Sequence, residues 1–183
     1  MTNYFSQAGS FLVSTIIGLY ITIVVIRFLF QLVRADFYNP LSQFIVKATN
    51  PLLMPLRKVV PGLFGLDMAA LVLAYLLQVL ELFLLLLLNG SPFSPILLLW
   101  AAIGQLLSLF LYIYLIAIII QAVVSWINPG SYNPMIALIT QLTDPLLRPA
   151  RKLLPPFSGL DLSPLLVIIA INLLIMLIPA LFG

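Results

Sequence analysis

Residues 38–67, YNPLSQFIVKATNPLLMPLRKVVPGLFGLD, return at 132–161 as YNPMIALITQLTDPLLRPARKLLPPFSGLD. A shift of 94 residues aligns the two without a gap, and 15 of 30 positions are identical. Tyr38, Asn39 and Pro40 fall on Tyr132, Asn133 and Pro134. Pro51, Pro55, Arg57, Lys58 and Pro61 fall on Pro145, Pro149, Arg151, Lys152 and Pro155, and Gly65 and Asp67 on Gly159 and Asp161. Agreement over this length marks an internal duplication. Each copy lies between two long apolar runs, so the chain reads twice as span, amphipathic loop, span.

Composition sets the solvent. Of the 183 residues 63% are hydrophobic and 7% charged, with mean hydropathy +1.23. A soluble domain is about 25% charged, so this is an integral membrane protein. The absence of Cys and His excludes disulfides, thiol nucleophiles, Cys/His zinc sites and histidine acid–base chemistry. Four runs exceed the roughly 20 residues that a span requires: about 11–33, 68–88, 96–127 and 163–181. The first is too long for a signal-peptide core, and Met1–Ser10 carries no Lys or Arg. The expected class is all-α: four transmembrane helices as two parallel repeats, 1–90 and 91–183. All eight basic residues lie at Arg27, Arg34, Lys47, Arg57, Lys58, Arg148, Arg151 and Lys152. The positive-inside rule then places loops 35–67 and 128–162 in the cytoplasm and both termini outside.

Each loop has a readable pattern. Asn39-Pro40 and Asn133-Pro134 suit a helix cap followed by proline at the first helical position. Leu41, Phe44, Ile45 and Ala48 share one helical face, as do Met135, Leu138, Ile139 and Leu142, the pattern of an interfacial helix. Asn50-Pro51 and Asp144-Pro145 suggest the start of a second short helix, which Pro55 and Pro149 keep irregular. Arg57-Lys58 and Arg151-Lys152 stand near its C-terminal end, where cations complement the helix dipole. Pro61 and Pro155 stop it, and Asp67 and Asp161 stand as caps for the next spans.

Two copies of N-P-L-L-x-P-x-R-K-x-x-P followed by G-L-D, with Asp144 for Asn50 in the second, resemble the YggT family over nearly the whole chain. The resemblance implies a small multi-pass protein of the bacterial inner membrane. It implies links to osmotic stress tolerance, to cell division and nucleoid organisation and, in chloroplast relatives, to haem attachment on a b-type cytochrome.

Polar residues inside the spans each require a reason. Arg27, Gln31 and Arg34 lie at i, i+4 and i+7 on the first span, and Gln121, Ser125 and Asn128 hold the equivalent positions on the third. Gln78 corresponds to Asn172, whereas Glu81 has only Ile175 as its counterpart. At 1.5 Å per residue, Arg27 stands about 10 Å from the basic end and Glu81 about 20 Å. A buried Arg27–Glu81 pair, packing bonds between helices, snorkelling by Arg27 and a polar path between the repeats are all open readings.

No carboxylate pair, phosphate loop or metal spacing points to catalysis. The expectation is a scaffold or assembly factor without cofactor or metal, offering Arg57, Lys58, Arg148, Arg151 and Lys152 to partner membrane proteins or anionic lipids. The alternative is a small oligomeric transporter or channel component. Four clustered charges without stacking aromatics make a poor nucleic-acid site.

Overall fold

The structure is a computed structural model and describes residues 4–63, 65–92, 94–127, 133–154 and 161–182. The described residues form six helices: α1 Tyr4–Leu32, α2 Pro40–Arg57, α3 Met68–Asn89, α4 Pro95–Ile127, α5 Pro134–Leu153 and α6 Ser163–Phe182. α1, α3, α4 and α6 are long and apolar enough to cross a membrane. The expected class holds: the described residues are all-helical, with span, shorter helix and span occurring twice. α1 starts seven residues before the apolar run that announces it. Its extra turns rest on the far end of α3, where Gly9 meets Leu88 and Asn89 Nδ2 donates to Ser10 Oγ at 3.4 Å.

Packing within each half is closest between the two spans, α1 on α3 and α4 on α6, and α3 on α4 joins the halves. Ile21, Val24, Val25, Phe28 and Leu29 of α1 are buried against Ala69, Ala70, Leu73 and Ala74 of α3. Small alanines let two helix backbones approach, which is how spans associate where lipid is as apolar as leucine. In the other half Gly104 does the same. A Cβ there would collide with Phe182, whose ring tilts against Trp100 at 4.8 Å. Trp100 Nε1 also donates to the Leu181 carbonyl at 3.0 Å.

α2 and α5 are each single helices, which corrects the expected break at Asn50-Pro51 and Asp144-Pro145. Pro51, Pro55, Pro145 and Pro149 all lie inside α2 or α5. Each proline removes one bond to the carbonyl four residues earlier. Lys47, Pro51 and Pro55 repeat every four residues on the exposed face, as do Gln141, Pro145 and Pro149. The freed carbonyls therefore lie on the exposed side, and the helix continues on its packed side. Of the expected apolar face of α2, Ile45 packs on the bundle and Phe44 does not. Ser42, Ile45, Thr49 and Leu53 are buried, while Phe44 is 61% exposed. In α5 the buried set is Leu138, Leu142, Thr143, Leu147 and Ala150, and Met135 is exposed.

The caps form as expected. Asn39 and Asn133 accept from the Leu41 and Met135 N–H groups. Asn39 Nδ2 also donates to the Pro134 carbonyl at 2.7 Å, and the Asp36 N–H donates to Gln141 Oε1 at 2.9 Å. These two bonds tie the turn before α2 to the first half of α5.

α1 stops at a Schellman turn, with Ala35 N–H bonded to Phe30 O and Arg34 N–H to Gln31 O. The residue in the left-handed position is Arg34, at φ 54°. α3 ends with the same pair of bonds, but there the position is Gly90, at φ 62°. A side chain at such a φ costs about 1–2 kcal/mol.

Candidate functional site: the basic end of the bundle

Two clamps hold each of α2 and α5 to its neighbouring spans. The upper clamp joins a span to the middle of the helix. In the first copy Arg27, buried on α1, donates from Nη1 to Thr49 Oγ1, to Asn50 Oδ1 at 2.9 Å and to the Val46 carbonyl at 3.2 Å. In the second copy Gln121 bonds the Thr143 hydroxyl. Both threonines also bond back to the carbonyl four residues earlier, Ile45 and Ile139. Arginine and glutamine thus fill one role, but only the first brings charge.

The lower clamp joins the helix C-terminus to the head of the next span. Arg57 pairs with Asp67, and Asp67 Oδ1 caps α3 by accepting from Ala70 N–H at 3.3 Å. Arg151 pairs with Asp161 at 2.9 Å, and Asp161 accepts from Ser163 N–H at 2.9 Å. Burial works to raise the Asp161 pKa, but hydrogen bonding from Ser163 and Arg151, with the guanidinium charge, outweighs it and holds the carboxyl below its ordinary value. Asp144 differs from Asn50 in drawing two cations, Arg148 at 3.2 Å and Arg151 at 3.3 Å. Lys58, Lys152 and Lys47 are exposed.

The expected contact residues therefore divide. Arg57 and Arg151 serve the clamps, Arg148 reaches Asp144 while 74% exposed, and Lys58 and Lys152 face outward. Asn39, Asn133, Asp67 and Asp161 act as caps. Pro40 and Pro134 open their helices, and Pro51, Pro55, Pro145 and Pro149 lie along the exposed faces. Pro61 follows α2, and Gly65, at φ 79°, lies in a turn closed by reciprocal bonds between Leu63 and Leu66. Pro155, Gly159 and Asn128 lie outside the described residues.

The polar stripe on α1 faces a pocket of about 400 Å³ between α1 and α2, lined by Arg27, Gln31, Arg34, Ser42 and Arg57 among others. Ser42 was not expected there. It is buried, and its Oγ has no hydrogen-bond partner among the described residues. Only its place among apolar neighbours, where the second copy has Ile136, could have marked it.

Glu81 does not reach Arg27. Its Oε2 accepts from Gln78 Nε2 at 3.0 Å, and Gln78 Nε2 also donates to Gln105 Oε1 at 2.9 Å. The cluster lines a second hollow, of about 350 Å³, shared by α1, α3 and α4. Gln105, Ser108 and Tyr112 come to it from α4 and were missed in the sequence. Their i, i+3, i+7 spacing is the signal that could have found them. Asn172 Nδ2 bonds within its own helix, to the Ile168 carbonyl at 2.8 Å.

A family model described as CCB3/YggT matches the chain twice, over residues 6–88 and 100–182. An uncharacterised protein of Pseudomonas aeruginosa is 51% identical over 176 residues, 94% of this chain and 89% of its own length. The uncharacterised protein YggT of Escherichia coli is 38% identical over 160 residues, covering 87% of this chain and 83% of that one. A protein of Vibrio alginolyticus is 41% identical over 172 residues, 89% of each chain. No solved structure matches.

Proposed function

We propose, on the premise that the chain belongs to the CCB3/YggT family, that it is a non-catalytic scaffold of the bacterial inner membrane. In this reading the basic end faces the cytoplasm, by the positive-inside rule. α2 and α5 then form a platform for partner membrane proteins, and the stress tolerance and division links implied by the family resemblance act through those partners. The observation that carries the reading is the double clamp. Each amphipathic helix is tied to its spans at two points, through Thr49 and Arg57 in one copy and Thr143 and Arg151 in the other. Lys47, Lys58, Arg148 and Lys152 stay exposed on it. A surface held this rigidly loses little conformational entropy on docking.

The test changes the exposed cations and leaves the clamps intact. Lys47, Lys58, Arg148 and Lys152 are replaced by Gln, and wild type and variant are recovered from native membranes in mild detergent. A partner held near one-to-one by wild type and lost by the variant supports the scaffold. Equal recovery by both refutes the role of these charges. A reporter fused after Gly183 tests the orientation and is expected to be extracytoplasmic.

A second reading rests on the Gln78–Glu81–Gln105 hollow inside the spans. It makes the protein part of an oligomeric ion path, and ion flux in vesicles would then depend on Glu81.

A further inference from the structure

The pocket between α1 and α2 is built unlike the rest of the basic end. Three guanidinium groups converge on it, from Arg27, Arg34 and Arg57. The carboxylate of Asp67 pairs with Arg57, so among the described residues two positive charges have no ion-pair partner. Arg27 is 7% exposed, and its acceptors on α2 are a carbonyl, a hydroxyl and an amide, all neutral. Those bonds leave from Nη1, and a guanidinium has further donors on Nε and Nη2. Ser42 adds a buried hydroxyl without a partner, and Gln31 an exposed amide. A buried polar atom left unpaired is costly and signals a missing partner.

The second copy differs in its residues. Gln121, Ser125 and Arg151 line a hollow of about 20 Å³ with Asp161, and the counterparts of Arg34, Ala35 and Phe37, residues 128, 129 and 131, lie outside the described residues. Gln121 stands where Arg27 does and Ile136 where Ser42 does. Arg151 is occupied by Asp144 and Asp161. The first copy thus sets cations around a buried hydroxyl, where the second has a neutral amide, an isoleucine and an arginine held by two carboxylates.

We infer that the first-copy pocket binds the phosphate of an anionic phospholipid headgroup. Guanidinium groups match phosphate oxygens as paired donors, and the Ser42 hydroxyl supplies one more donor. A lipid is favoured over a soluble phosphate by where the pocket lies. It opens where α1 ends and the amphipathic α2 crosses over it, and Phe30, Phe37 and Ile45 complete its lining. Phe37 is 59% exposed at its lining, as a contact for a glycerol backbone and acyl chain. This inference needs only the membrane setting and stands whether or not the platform has a protein partner.

The test uses the full chain in phosphatidylcholine nanodiscs containing one-tenth phosphatidylglycerol. Native mass spectrometry reads the lipid retained after stepwise activation. Arg34→Gln alters an exposed side chain, so the fold survives. Ser42→Ile imports the second copy's residue without changing charge. Arg148→Gln removes an exposed cation outside the pocket. Wild type is expected to retain one phosphatidylglycerol in preference to phosphatidylcholine. Retention falls about tenfold in Arg34→Gln and in Ser42→Ile, the loss expected for one charge-assisted bond, and is unchanged in Arg148→Gln. Arg34→Gln decides alone if Ser42→Ile fails to fold. Equal retention of the two lipids overturns the inference, as does an unchanged Arg34→Gln. So does an Arg148→Gln variant that loses as much, since the attraction would then be diffuse. Binding of inorganic phosphate with no lipid retained overturns the lipid assignment.

Discussion

Replacing Arg57 by Gln should cost more stability than replacing its partner Asp67 by Asn. The two side chains are buried unequally: Asp67 is 5% exposed and Arg57 43%. Arg57→Gln leaves a carboxylate buried without its cation. Breaking a fully buried pair in this way costs about 3–5 kcal/mol. Water reaches Arg57, so about 2 kcal/mol is expected here. Asp67→Asn removes the charge itself. Asparagine caps a helix as well as aspartate does, so the bond to Ala70 N–H survives and the loss is about 0.5–1 kcal/mol. The double variant strands no charge and should match Asp67→Asn alone. For a chain of this size 1 kcal/mol moves Tm by roughly 2–4 °C. Arg57→Gln should therefore melt about 4–8 °C below wild type, and the other two about 1–4 °C below. Tryptophan fluorescence during heating, in one detergent, measures all three. An Arg57→Gln protein no less stable than Asp67→Asn would refute the argument, as would a double variant whose loss equals the sum of the singles.

Arg34→Gly should raise stability by about 1 kcal/mol, because glycine removes the left-handed strain at the end of α1; a melting temperature unchanged or lowered would show that the turn carries no strain. Gly104→Leu should cost about 1–3 kcal/mol by forcing Phe182 off α4, with a shift in Trp100 emission as the readout, and an unchanged spectrum and melt would mean that α4 and α6 do not meet there. Asp161 contributes stability that is present above the ordinary carboxylate range, because its folded pKa lies below the unfolded one. That contribution should fade as pH falls below about 4, and Asp161→Asn should flatten this part of the stability profile; an equally steep acid limb in the variant would contradict the assignment.

What the sequence revealed here was mostly local. The caps at Asn39, Asn133, Asp67 and Asp161 could be read because a cap depends on residues two or three positions away. The spans could be read because hydropathy over a membrane thickness needs no tertiary information. The continuity of α2 and α5 could not. Whether a proline breaks a helix depends on where the freed carbonyl points, and only the packed structure puts Pro51, Pro55, Pro145 and Pro149 on the outer faces. The Arg57–Asp67 and Arg151–Asp161 clamps bridge ten residues across a turn, a separation that matches no helical period. Arg27 was legible as a polar group in need of a partner. Its partner was not, because depth along the bilayer favoured no single candidate. The helix that packs over Arg27 supplied Thr49 and Asn50.

The duplication shows how one scaffold divides two roles. In the second copy Arg148 and Arg151 are balanced by Asp144 and Asp161, so that corner is electrically closed. In the first copy Arg27 meets Asn50 where the second copy has Asp144, and among the described residues its charge has no ion-pair partner. Asn50→Asp should therefore convert the first corner toward the second. The new carboxylate would sit at the acceptor position 2.9 Å from Arg27 Nη1. It strengthens that bond, since a charged acceptor is worth roughly twice a neutral one, so stability should be kept or should rise. The same carboxylate cancels one of the two free charges in the pocket and repels a phosphate. Lipid retention should fall about tenfold, one unit in the logarithm of the binding constant, while the melting temperature holds. A variant that stays stable and still holds its phospholipid would show that the charge of Arg27 serves packing alone. A variant that loses both would show that the neutral amide at Asn50 is itself required by the clamp.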